Sequence, residues 1–436
     1  MKDLVLKEIS DCSCGKRHSH SIKRIVSGSG AVNALPEIIN EIGAKHAYVI
    51  SDLNTDRAAG IKVKSILDSI NLKYTACVFG DDRVMPDERS VGYAMMHFDR
   101  RCDLIIGVGS GVINDISKIV SNISGLTYII VGTAPSMDGY ASDSSSMTRA
   151  GLKISLPSRA ADYIIGDTDI LKEAPLKMMK SGLGDMIAKY VSICEWRISN
   201  LINGEYFCPV IADMVRTALK RCTDNAKGLM NRDEEAVEAV FEGLVLCGVA
   251  MNYAGISRPA SGVEHYISHL WDMRAVEFGT PEDFHGIQCA VGSLIAVKLY
   301  EKLRTVKPDR EKALEFASAF DFGEWSEKLR NFLGKGAESM IALEAKEGKY
   351  DIAKHKSRLE IIISKWDEIL KIADEELPTA AELEALLDTI EAPKTMADLG
   401  LDEAILPMTV DASKDIRDKY VLSRLMWDLG YTYKTL

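Results

Sequence analysis

Cys102-Asp-Leu-Ile-Ile-Gly-Val-Gly-Ser-Gly-Val-Ile-Asn-Asp115 joins an apolar run to a glycine-rich turn and then to the start of a helical pattern. The run Cys102–Val108 has the length and composition of a buried strand, and a helix is predicted over Val112–Ser121. Glycines in the turn let backbone N–H groups approach a pyrophosphate, and the following helix N-terminus favours negative charge. The stretch therefore predicts a phosphate-binding turn between a strand and a helix, with a tight turn that binds nothing as the alternative.

The same alternation of strand and helix surrounds this turn between residues 22 and 175. Short apolar runs predict strands over His46–Ser51, Tyr74–Phe79 and Thr127–Val131, and apolar spacing of three and four predicts a helix over Ala58–Ile70. Such alternation predicts a mostly parallel sheet covered on both faces, with ligands bound where the strands end. We therefore expect an α/β dinucleotide-binding domain over residues 1–175, in which residues 1–21 form a polar N-terminal segment.

The pattern changes at about Leu176, where strand-like runs stop. Long helical patterns follow over Met178–Ile198, Tyr206–Gly228, Glu234–Tyr253 and Gly262–Trp271. Residues 307–400 are charge-rich and helical, which is typical of helices on an outer surface. The sequence thus predicts an all-α domain over residues 176–436.

Composition limits the possible partners. The chain has 436 residues, a formal net charge of −11 and a hydrophobic fraction of 47%. The negative charge argues against nucleic acid, because phosphate backbones attract clustered positive charge. No apolar signal segment opens the chain and no apolar run reaches membrane-spanning length, so we expect no membrane partner. Nine cysteines, an odd number, favour free thiols in a reducing cytoplasm.

One cysteine-containing segment, Cys12-Ser-Cys14-Gly-Lys-Arg-His18-Ser-His20, carries four side chains that bind metals. Its short spacing does not match a common zinc module. A polar N-terminal segment is therefore the favoured interpretation, and metal binding is the alternative.

Two further stretches lie where predicted strands end. Asp52 follows the His46–Ser51 strand, where a carboxylate can bond the ribose hydroxyls of a dinucleotide and would repel a 2′-phosphate, which favours NAD(H) over NADP(H). The alternative for Asp52 is an ordinary helix cap. Thr133-Ala-Pro-Ser-Met-Asp-Gly-Tyr-Ala-Ser142 follows the fourth strand and carries hydroxyls and a carboxylate, Asp138, that could hold cofactor and substrate, with a polar turn as the alternative.

Three of the eight histidines cluster near the middle of the chain. His265 and His269 are four residues apart, so a helix would place both imidazoles on one face. His285 follows a Gly-Thr-Pro break, after which the chain can fold back toward them. A divalent metal also needs an anionic ligand, and Asp185 is the natural carboxylate, although a cap near a helix N-terminus is its alternative role. Three unrelated histidines are the alternative to a metal site.

The chain resembles the iron-containing alcohol dehydrogenase/dehydroquinate synthase-like superfamily, and within it the glycerol-1-phosphate dehydrogenases of the bacterial AraM-like type. The resemblance covers most of the chain and is weaker over residues 340–392. It rests on the following motifs: Gly109-Ser-Gly-Val-Ile-Asn-Asp115, Thr133–Ser142, Gly184-Asp-Met-Ile-Ala-Lys189, Ser257-Arg-Pro-Ala-Ser-Gly-Val-Glu-His-Tyr-Ile-Ser-His269, Phe284-His-Gly286, Ile416-Arg-Asp-Lys-Tyr420 and Asp428-Leu-Gly430.

The resemblance implies a role for each site residue. Asp185, His265 and His285 would be the metal ligands, and His269 and Asp138 would contact substrate together with Asp185. The implied cofactor-binding residues are Asp52, Gly109, Ser110, Gly111, Val112, Ile113, Thr133, Ala134, Pro135, Ser136 and Ser142. Iron-dependent relatives often carry a histidine four residues after the aspartate, whereas this chain has Lys189, so the implied metal is zinc or nickel.

The implied reaction is the reduction of dihydroxyacetone phosphate to sn-glycerol 1-phosphate, which supplies a lipid backbone. His269 would relay a proton, or serve as a histidine behind the ligands. Arg258 and Ser261, with nearby backbone N–H groups, would bind the substrate phosphate, unless Arg258 caps local carbonyls. The alternatives are a glycerol or polyol dehydrogenase, a dehydroquinate synthase-like cyclase, and a non-catalytic metal- or nucleotide-binding protein. Relatives are often oligomeric, and a homodimer is expected.

Overall fold

The computed structural model describes residues 1–81, 83–149 and 152–436. Contacts divide this part of the chain into two compact units. The first unit comprises residues 1–186 and 213–256, and the second comprises residues 187–212 and 257–436. The predicted domain boundary at residues 175 and 176 stays a prediction.

All strands of the described chain lie before residue 168. They are β1 Lys2–Asp3, β2 Arg24–Gly28, β3 His46–Asp52, β4 Lys73–Phe79, β5 Leu104–Gly109, β6 Thr127–Gly132, β7 Ser144–Arg149, β8 Leu152–Pro157 and β9 Tyr163–Asp167. Seven of them form one sheet in the order β1-β2-β9-β6-β5-β3-β4, in which only β1 pairs antiparallel. The predicted mostly parallel sheet is therefore confirmed, while β7 and β8 form a separate antiparallel hairpin.

Twenty-one α-helices are described. They are α1 Leu35–Ile42, α2 Leu53–Thr55, α3 Ile61–Ser69, α4 Glu88–Met96, α5 Gly111–Ser124, α6 Thr168–Leu171, α7 Leu176–Ile187, α8 Lys189–Asn203, α9 Pro209–Asp224, α10 Ala226–Met230, α11 Glu234–Ala254, α12 Val263–Phe278, α13 His285–Leu303, α14 Arg310–Ser318, α15 Phe322–Leu333, α16 Ala337–Glu347, α17 Ile352–Ser364, α18 Trp366–Glu376, α19 Ala380–Thr389, α20 Leu406–Ser413 and α21 Leu422–Asp428. From Leu176 onward the described chain contains helices and no strands, as predicted.

The first unit is organised by the sheet. The buried apolar side chains of β3, β5, β6 and β9 pack against α1 and α3, which are amphipathic. Because both faces of the parallel strands are covered, their residues are buried almost without alternation, which is why the sequence showed them as continuous apolar runs. Strands β2 and β9 belong to this sheet but were not predicted.

Helix α11 is the one described helix whose length and apolar composition would let it cross a membrane. Within its most apolar window, 78% is buried inside the protein. Its Phe241 ring lies beside Tyr140, with ring centroids 5.3 Å apart. The apolar composition of α11 is therefore explained by its place in the core of the first unit.

The second unit is built from helices. Its apolar core includes Leu270 of α12 and Trp325, Leu329 and Phe332 of α15. The charge-rich helices bury one side and expose the other, and α18 illustrates this because Trp366 and Ile369 are buried while Asp367 and Glu368 are exposed. This amphipathic pattern agrees with the outer-surface role predicted for residues 307–400.

Candidate active site

The two loops predicted to bind the cofactor lie side by side in the first unit. Strands β5 and β6 pair in parallel so that Gly109 lies opposite Gly132, and each loop begins at that point. The Thr133 backbone N–H donates to the Gly109 carbonyl over 3.1 Å, and the Ser110 and Ser136 hydroxyl oxygens are 3.2 Å apart. The loops therefore present their hydroxyl and amide groups at the carboxyl edge of the sheet, where doubly wound folds bind nucleotides.

Packing between β5 and α5 leaves no room for a side chain at Gly109. A Cβ added there would lie 2.4 Å from the Ile113 Cβ, so a larger residue would push α5 away from β5. Ser110 caps α5, and its hydroxyl accepts from the Gly111 N–H over 2.7 Å. A 14-residue helix thus starts directly at the glycine turn, which fits the binding of a pyrophosphate at its N-terminus.

Asp52 caps helix α2, which is the alternative role that the sequence analysis gave it. Its Oδ1 accepts from the N–H groups of Asn54 and Thr55, each over 2.8 Å, and caps α2. The carboxylate remains part exposed at the end of β3, beside β5 in the sheet. A cap and a contact to a ribose are compatible, because a carboxylate has two oxygens.

A residue that sequence reasoning missed holds the second loop in place. Lys118 of α5 is fully buried, and its ammonium donates to the Gly139 carbonyl over 3.1 Å and to the Ser142 hydroxyl over 3.2 Å. It also bonds the Ser144 carbonyl and pairs with Asp115 over 3.0 Å. The sequence offered no signal for this burial, because the residues that share a helix face with Lys118 are all polar: Asn114, Asp115, Ser121 and Asn122.

Asp185 lies against the Thr133–Ser142 loop within the first unit. Its Oδ2 accepts from the Asp138 N–H over 3.0 Å, and the carboxylate is fully buried. The predicted position near a helix N-terminus is wrong, because the single helix predicted over Met178–Ile198 is two helices, and Asp185 falls in the last turn of α7. Capping therefore does not explain this carboxylate.

Small residues let α7 approach the loop closely. A Cβ added at Gly182 would lie 1.9 Å from the Pro135 carbonyl oxygen, and the Ser181 hydroxyl donates to the Ser136 carbonyl over 3.0 Å. The Ala134 carbonyl accepts from the Tyr140 hydroxyl over 2.6 Å. The backbone of Ala134 and Pro135 is thus fixed by protein contacts, which positions the side chains on either side of it.

The three clustered histidines come together in the second unit. Ring centroids of His265 and His285 are 5.0 Å apart, those of His269 and His285 are 5.6 Å apart and stacked, and those of His265 and His269 are 6.4 Å apart. His265 and His269 lie on α12, and His285 begins α13. The predicted convergence of the third imidazole on the first two is therefore observed.

A buried carboxylate orients the first of these imidazoles. His265 Nδ1 donates to Glu264 Oε1 over 2.8 Å, and the Gly262 N–H donates to the same oxygen over 2.6 Å. With Nδ1 engaged, Nε2 of His265 is the nitrogen available to a metal, as is usual for histidine ligands. Ser268 Oγ lies 3.3 Å from Nδ1 of His285, so it contacts His285 at the same ring nitrogen at which Glu264 contacts His265.

A second buried carboxylate, Glu195 of α8, joins two helix N-termini. Its Oε2 accepts from the Val263 N–H over 2.9 Å and its Oε1 from the Leu422 N–H over 2.8 Å. Burial and the neighbouring Glu264 raise the pKa of Glu195 to about 8. Glu195 is therefore protonated near neutral pH.

The residues predicted to bind a phosphate are already engaged. Arg258 is buried, and it bonds Glu205 over 2.7 and 2.5 Å, the Tyr420 carbonyl and the Ser199 hydroxyl. The Ala260 and Ser261 N–H groups donate to the Ser257 carbonyl. The predicted phosphate donors therefore already have partners within the protein. The carboxylate of Glu205 is the partner of the Arg258 guanidinium.

A lysine that the sequence did not single out lies beside Ser261. Lys419 Nζ donates to the Ser261 carbonyl over 3.0 Å and to its hydroxyl over 2.5 Å. Burial, with Arg258 and Arg417 nearby, lowers the pKa of Lys419 to about 7. A binding anion would stabilise the charged form of this group.

Cys289 is a further group that was not predicted. Ligand atoms of His265, His285 and Cys289 lie within 4.8 Å of one another, and Cys289 Sγ is 3.6 Å from Nε2 of His285. Burial raises the pKa of the thiol, but His265 and His285 outweigh it, so the pKa is lowered overall. The i,i+4 spacing from His285 was the available signal.

Comparison with known proteins agrees with this fold and site. The family model described as iron-containing alcohol dehydrogenase matches residues 26–175. The solved structure of an iron-containing alcohol dehydrogenase from Corynebacterium glutamicum superposes with a TM-score of 0.58 at 17% identity, covering 95% of each chain. The fold is thus that of the iron-containing alcohol dehydrogenases.

Relatives of known name indicate which family within this class the chain is similar to. A glycerol-1-phosphate dehydrogenase [NAD(P)+] from Halalkalibacterium halodurans is 27% identical over 417 residues, which cover 95% of this chain and 94% of the relative. The protein of the same name from Bacillus licheniformis is 32% identical over 312 residues, which cover 70% and 77%. The chain belongs to the glycerol-1-phosphate dehydrogenase family.

Proposed function

We propose that this protein reduces dihydroxyacetone phosphate to sn-glycerol 1-phosphate with NADH or NADPH. The observation that carries the proposal is the match to glycerol-1-phosphate dehydrogenases over almost the whole chain, which includes both the nucleotide loops and the histidine cluster. No specific observation favours the polyol dehydrogenase or the cyclase.

The donor set fits a divalent metal. Two imidazoles with ring centroids 5.0 Å apart, each with a hydrogen-bonding side chain at Nδ1, are typical of a prepared site. We propose His265 and His285 as ligands, and Asp185 as the third on the strength of the family resemblance. When bound, the metal supplies a Lewis acid that stabilises negative charge on the substrate carbonyl oxygen. Zinc or nickel is proposed rather than iron, because Lys189 occupies the position at which iron-dependent relatives often carry a histidine. Its ammonium is buried and bonded to the Ala260 carbonyl.

For the dinucleotide, the proposed residues are Asp52, Gly109–Ile113, Thr133–Ser136 and Ser142. The adjacency of the Gly109 and Thr133 loops at the carboxyl edge of the sheet supports this assignment. The reduced nicotinamide supplies the hydride. We propose a preference for NADH, because the Asp52 carboxylate would repel a 2′-phosphate.

His269 and Asp138 are the proposed substrate contacts. His269 is half-buried and stacked on His285, so its imidazole N–H can deliver a proton to the substrate oxygen. We propose that Lys419 binds the substrate phosphate beside Ser261, because the Arg258 guanidinium is paired with Glu205, whereas Lys419 Nζ bonds the neutral carbonyl and hydroxyl of Ser261. This keeps the phosphate close to the start of α12, one helical turn from His265.

The decisive experiment measures NADH and NADPH oxidation by the metal-reloaded enzyme with dihydroxyacetone phosphate and with free dihydroxyacetone. We expect a strong preference for the phosphate ester, and a product that an assay specific for sn-glycerol 3-phosphate does not detect. His285→Ala should abolish turnover, while the control His97→Ala, an exposed histidine of the first unit, should retain it. Equal rates on both ketones would refute the proposed substrate.

We also propose a homodimer in the cytoplasm. The second unit exposes the apolar side chains of Val276 and Phe278, which are 41% and 48% exposed. Light scattering that finds a single species of 48.0 kDa would refute the dimer.

A further inference from the structure

The N-terminal segment forms a closed hairpin that brings its metal-binding side chains together. Ile9 and His18 pair antiparallel, with N–H to carbonyl distances of 3.0 Å and 2.9 Å. Within the hairpin, the Gly15 N–H donates to the Cys12 carbonyl over 2.9 Å. Gly15 has φ of +78°, a left-handed conformation that favours glycine and reverses the chain directly after Cys14.

The side chains of this turn converge on one point. One ligand atom from each of Cys12, Cys14 and His18 lies within 4.8 Å of the other two. Cys14 Sγ is 3.2 Å from Nε2 of His18. These separations are close to those expected for sulfur and nitrogen atoms that share one tetrahedral ion at metal–ligand distances of about 2.0–2.3 Å.

His18 is oriented as metal-binding histidines are. It is fully buried, and its Nδ1 lies 2.8 Å from the Tyr253 carbonyl oxygen, which can only accept a hydrogen bond. Nδ1 therefore carries the hydrogen, and Nε2 directs its lone pair toward Cys14. A carbonyl behind the remote nitrogen is the usual support for a ligand imidazole.

We propose that Cys12, Cys14 and His18 bind a second divalent cation of the zinc class, distinct from the ion at the histidine cluster. Thiolates and imidazole are the donors that zinc prefers, whereas magnesium and calcium prefer oxygen. Two thiolates and a neutral imidazole would balance the charge of a divalent ion. The proposal uses only residues of the first unit and does not depend on the proposed reaction.

The ion would attach the N-terminal segment to helix α11. Tyr253, near the end of α11, accepts from His18 through its carbonyl and donates its hydroxyl to the Lys7 carbonyl over 2.7 Å. Its ring also lies beside His18 and His20, with centroids 6.0 and 5.8 Å away. A metal held by the hairpin would make this docking resistant to unfolding, since binding stabilises the folded form of the segment.

Metal content tests the proposal directly. Protein purified under reducing conditions and loaded with zinc should hold about two equivalents per chain, and both Cys12→Ser/Cys14→Ser and His265→Ala/His285→Ala should hold about one. With cobalt, the thiolate charge-transfer band should survive in the histidine variant and be much weaker in the cysteine variant, which keeps Cys289 beside the histidine cluster. Retention of the full metal content by the cysteine variant would overturn the proposal, and so would an unchanged cobalt band.

Proteolysis provides a second readout that does not depend on activity. Lys16 and Arg17 are exposed on the hairpin, so trypsin can cleave there once the hairpin opens. Chelation should increase the cleavage rate at these residues at least several-fold in the wild type, and Cys12→Ser should be cleaved rapidly with or without chelator. Cys102→Ser, a buried cysteine elsewhere in the first unit, is the matched control and should behave as the wild type. A cleavage rate that chelation does not change would show that no ion holds the hairpin.

Discussion

The buried carboxyl group of Glu195 should make the protein less stable as the pH rises. Burial and Glu264 raise its pKa from 4.5 to about 8. In the folded protein the group therefore keeps a proton that the unfolded chain has lost at neutral pH. Its contribution to stability is fully present below about pH 4.5 and is lost as the pH rises toward about 8.

The size of the effect follows from this window. Each pH unit inside it changes the free energy of unfolding by about 1.4 kcal/mol. Between about pH 5 and about pH 7.5, Glu195 should therefore lower the free energy of unfolding by roughly 3 kcal/mol.

Glu195→Gln removes the ionisation but keeps the size of the side chain. One of the two N–H donors, of Val263 or Leu422, then faces an amide NH₂ group and loses its acceptor, which costs roughly 1–2 kcal/mol at every pH. The variant should be less stable than the wild type at about pH 5 and at least as stable at about pH 7.5, because only the wild type loses stability through Glu195. The two stability curves should cross.

Equilibrium urea unfolding followed by tryptophan fluorescence can measure this. All five tryptophans lie in the second unit, as does Glu195: Trp196, Trp271, Trp325, Trp366 and Trp427. The control Glu403→Gln removes an exposed carboxyl group of the same unit and should leave the pH dependence unchanged. Parallel curves for wild type and Glu195→Gln would refute the assignment of a neutral Glu195.

Three further predictions concern other parts of the site. Gly182→Ala places a Cβ 1.9 Å from a carbonyl oxygen and should destabilise the protein by several kcal/mol in urea unfolding, whereas Gly92→Ala, where the added Cβ meets open space, should be stabilising by about 0.5–1 kcal/mol. Lys118→Met should raise the dissociation constant for NADH about tenfold in a fluorescence titration, because the loop that ends at Ser142 loses its anchor. Glu264→Ala should weaken zinc binding about 10–100-fold in a competition with a chelator, and Glu264→Gln, which keeps an acceptor for His265, should recover most of the loss.

The sheet and the histidine cluster were predictable because local sequence determines them. Strands β3, β5 and β6 are largely apolar runs, and the i,i+4 pair His265 and His269 needs only a helix to share one face. The helix boundary inside Met178–Ile198 was not predictable, because Ala188, where the two helices meet, carries no proline or glycine signal. The position of Asp185 at the end of a helix depends on that boundary.

Partners separated far along the chain could not be predicted. Arg258 pairs with Glu205 across 53 residues, and Glu195 reaches Leu422 across 227. Periodicity did not identify the burial of Lys118 either, because its neighbours on the helix face are polar and the Gly139 and Ser142 groups that it contacts lie more than 20 residues away. The prediction that Arg258 binds a phosphate came from its neighbours along the chain, whereas Glu205, which pairs with it, lies 53 residues away.

Four buried ionisable residues of the second unit share one location. Glu195, Glu264, Arg258 and Lys419 all lie around the first turn of α12, and burying each of them costs free energy. A neutral cap such as Ser or Asn would satisfy the N–H groups of a helix start at lower cost, so stability alone does not account for the set. What the set provides is a fixed first turn for α12, from which His265 projects with its Nδ1 held by Glu264. A metal ligand needs that rigidity, because its affinity depends on the imidazole keeping one orientation and one tautomer.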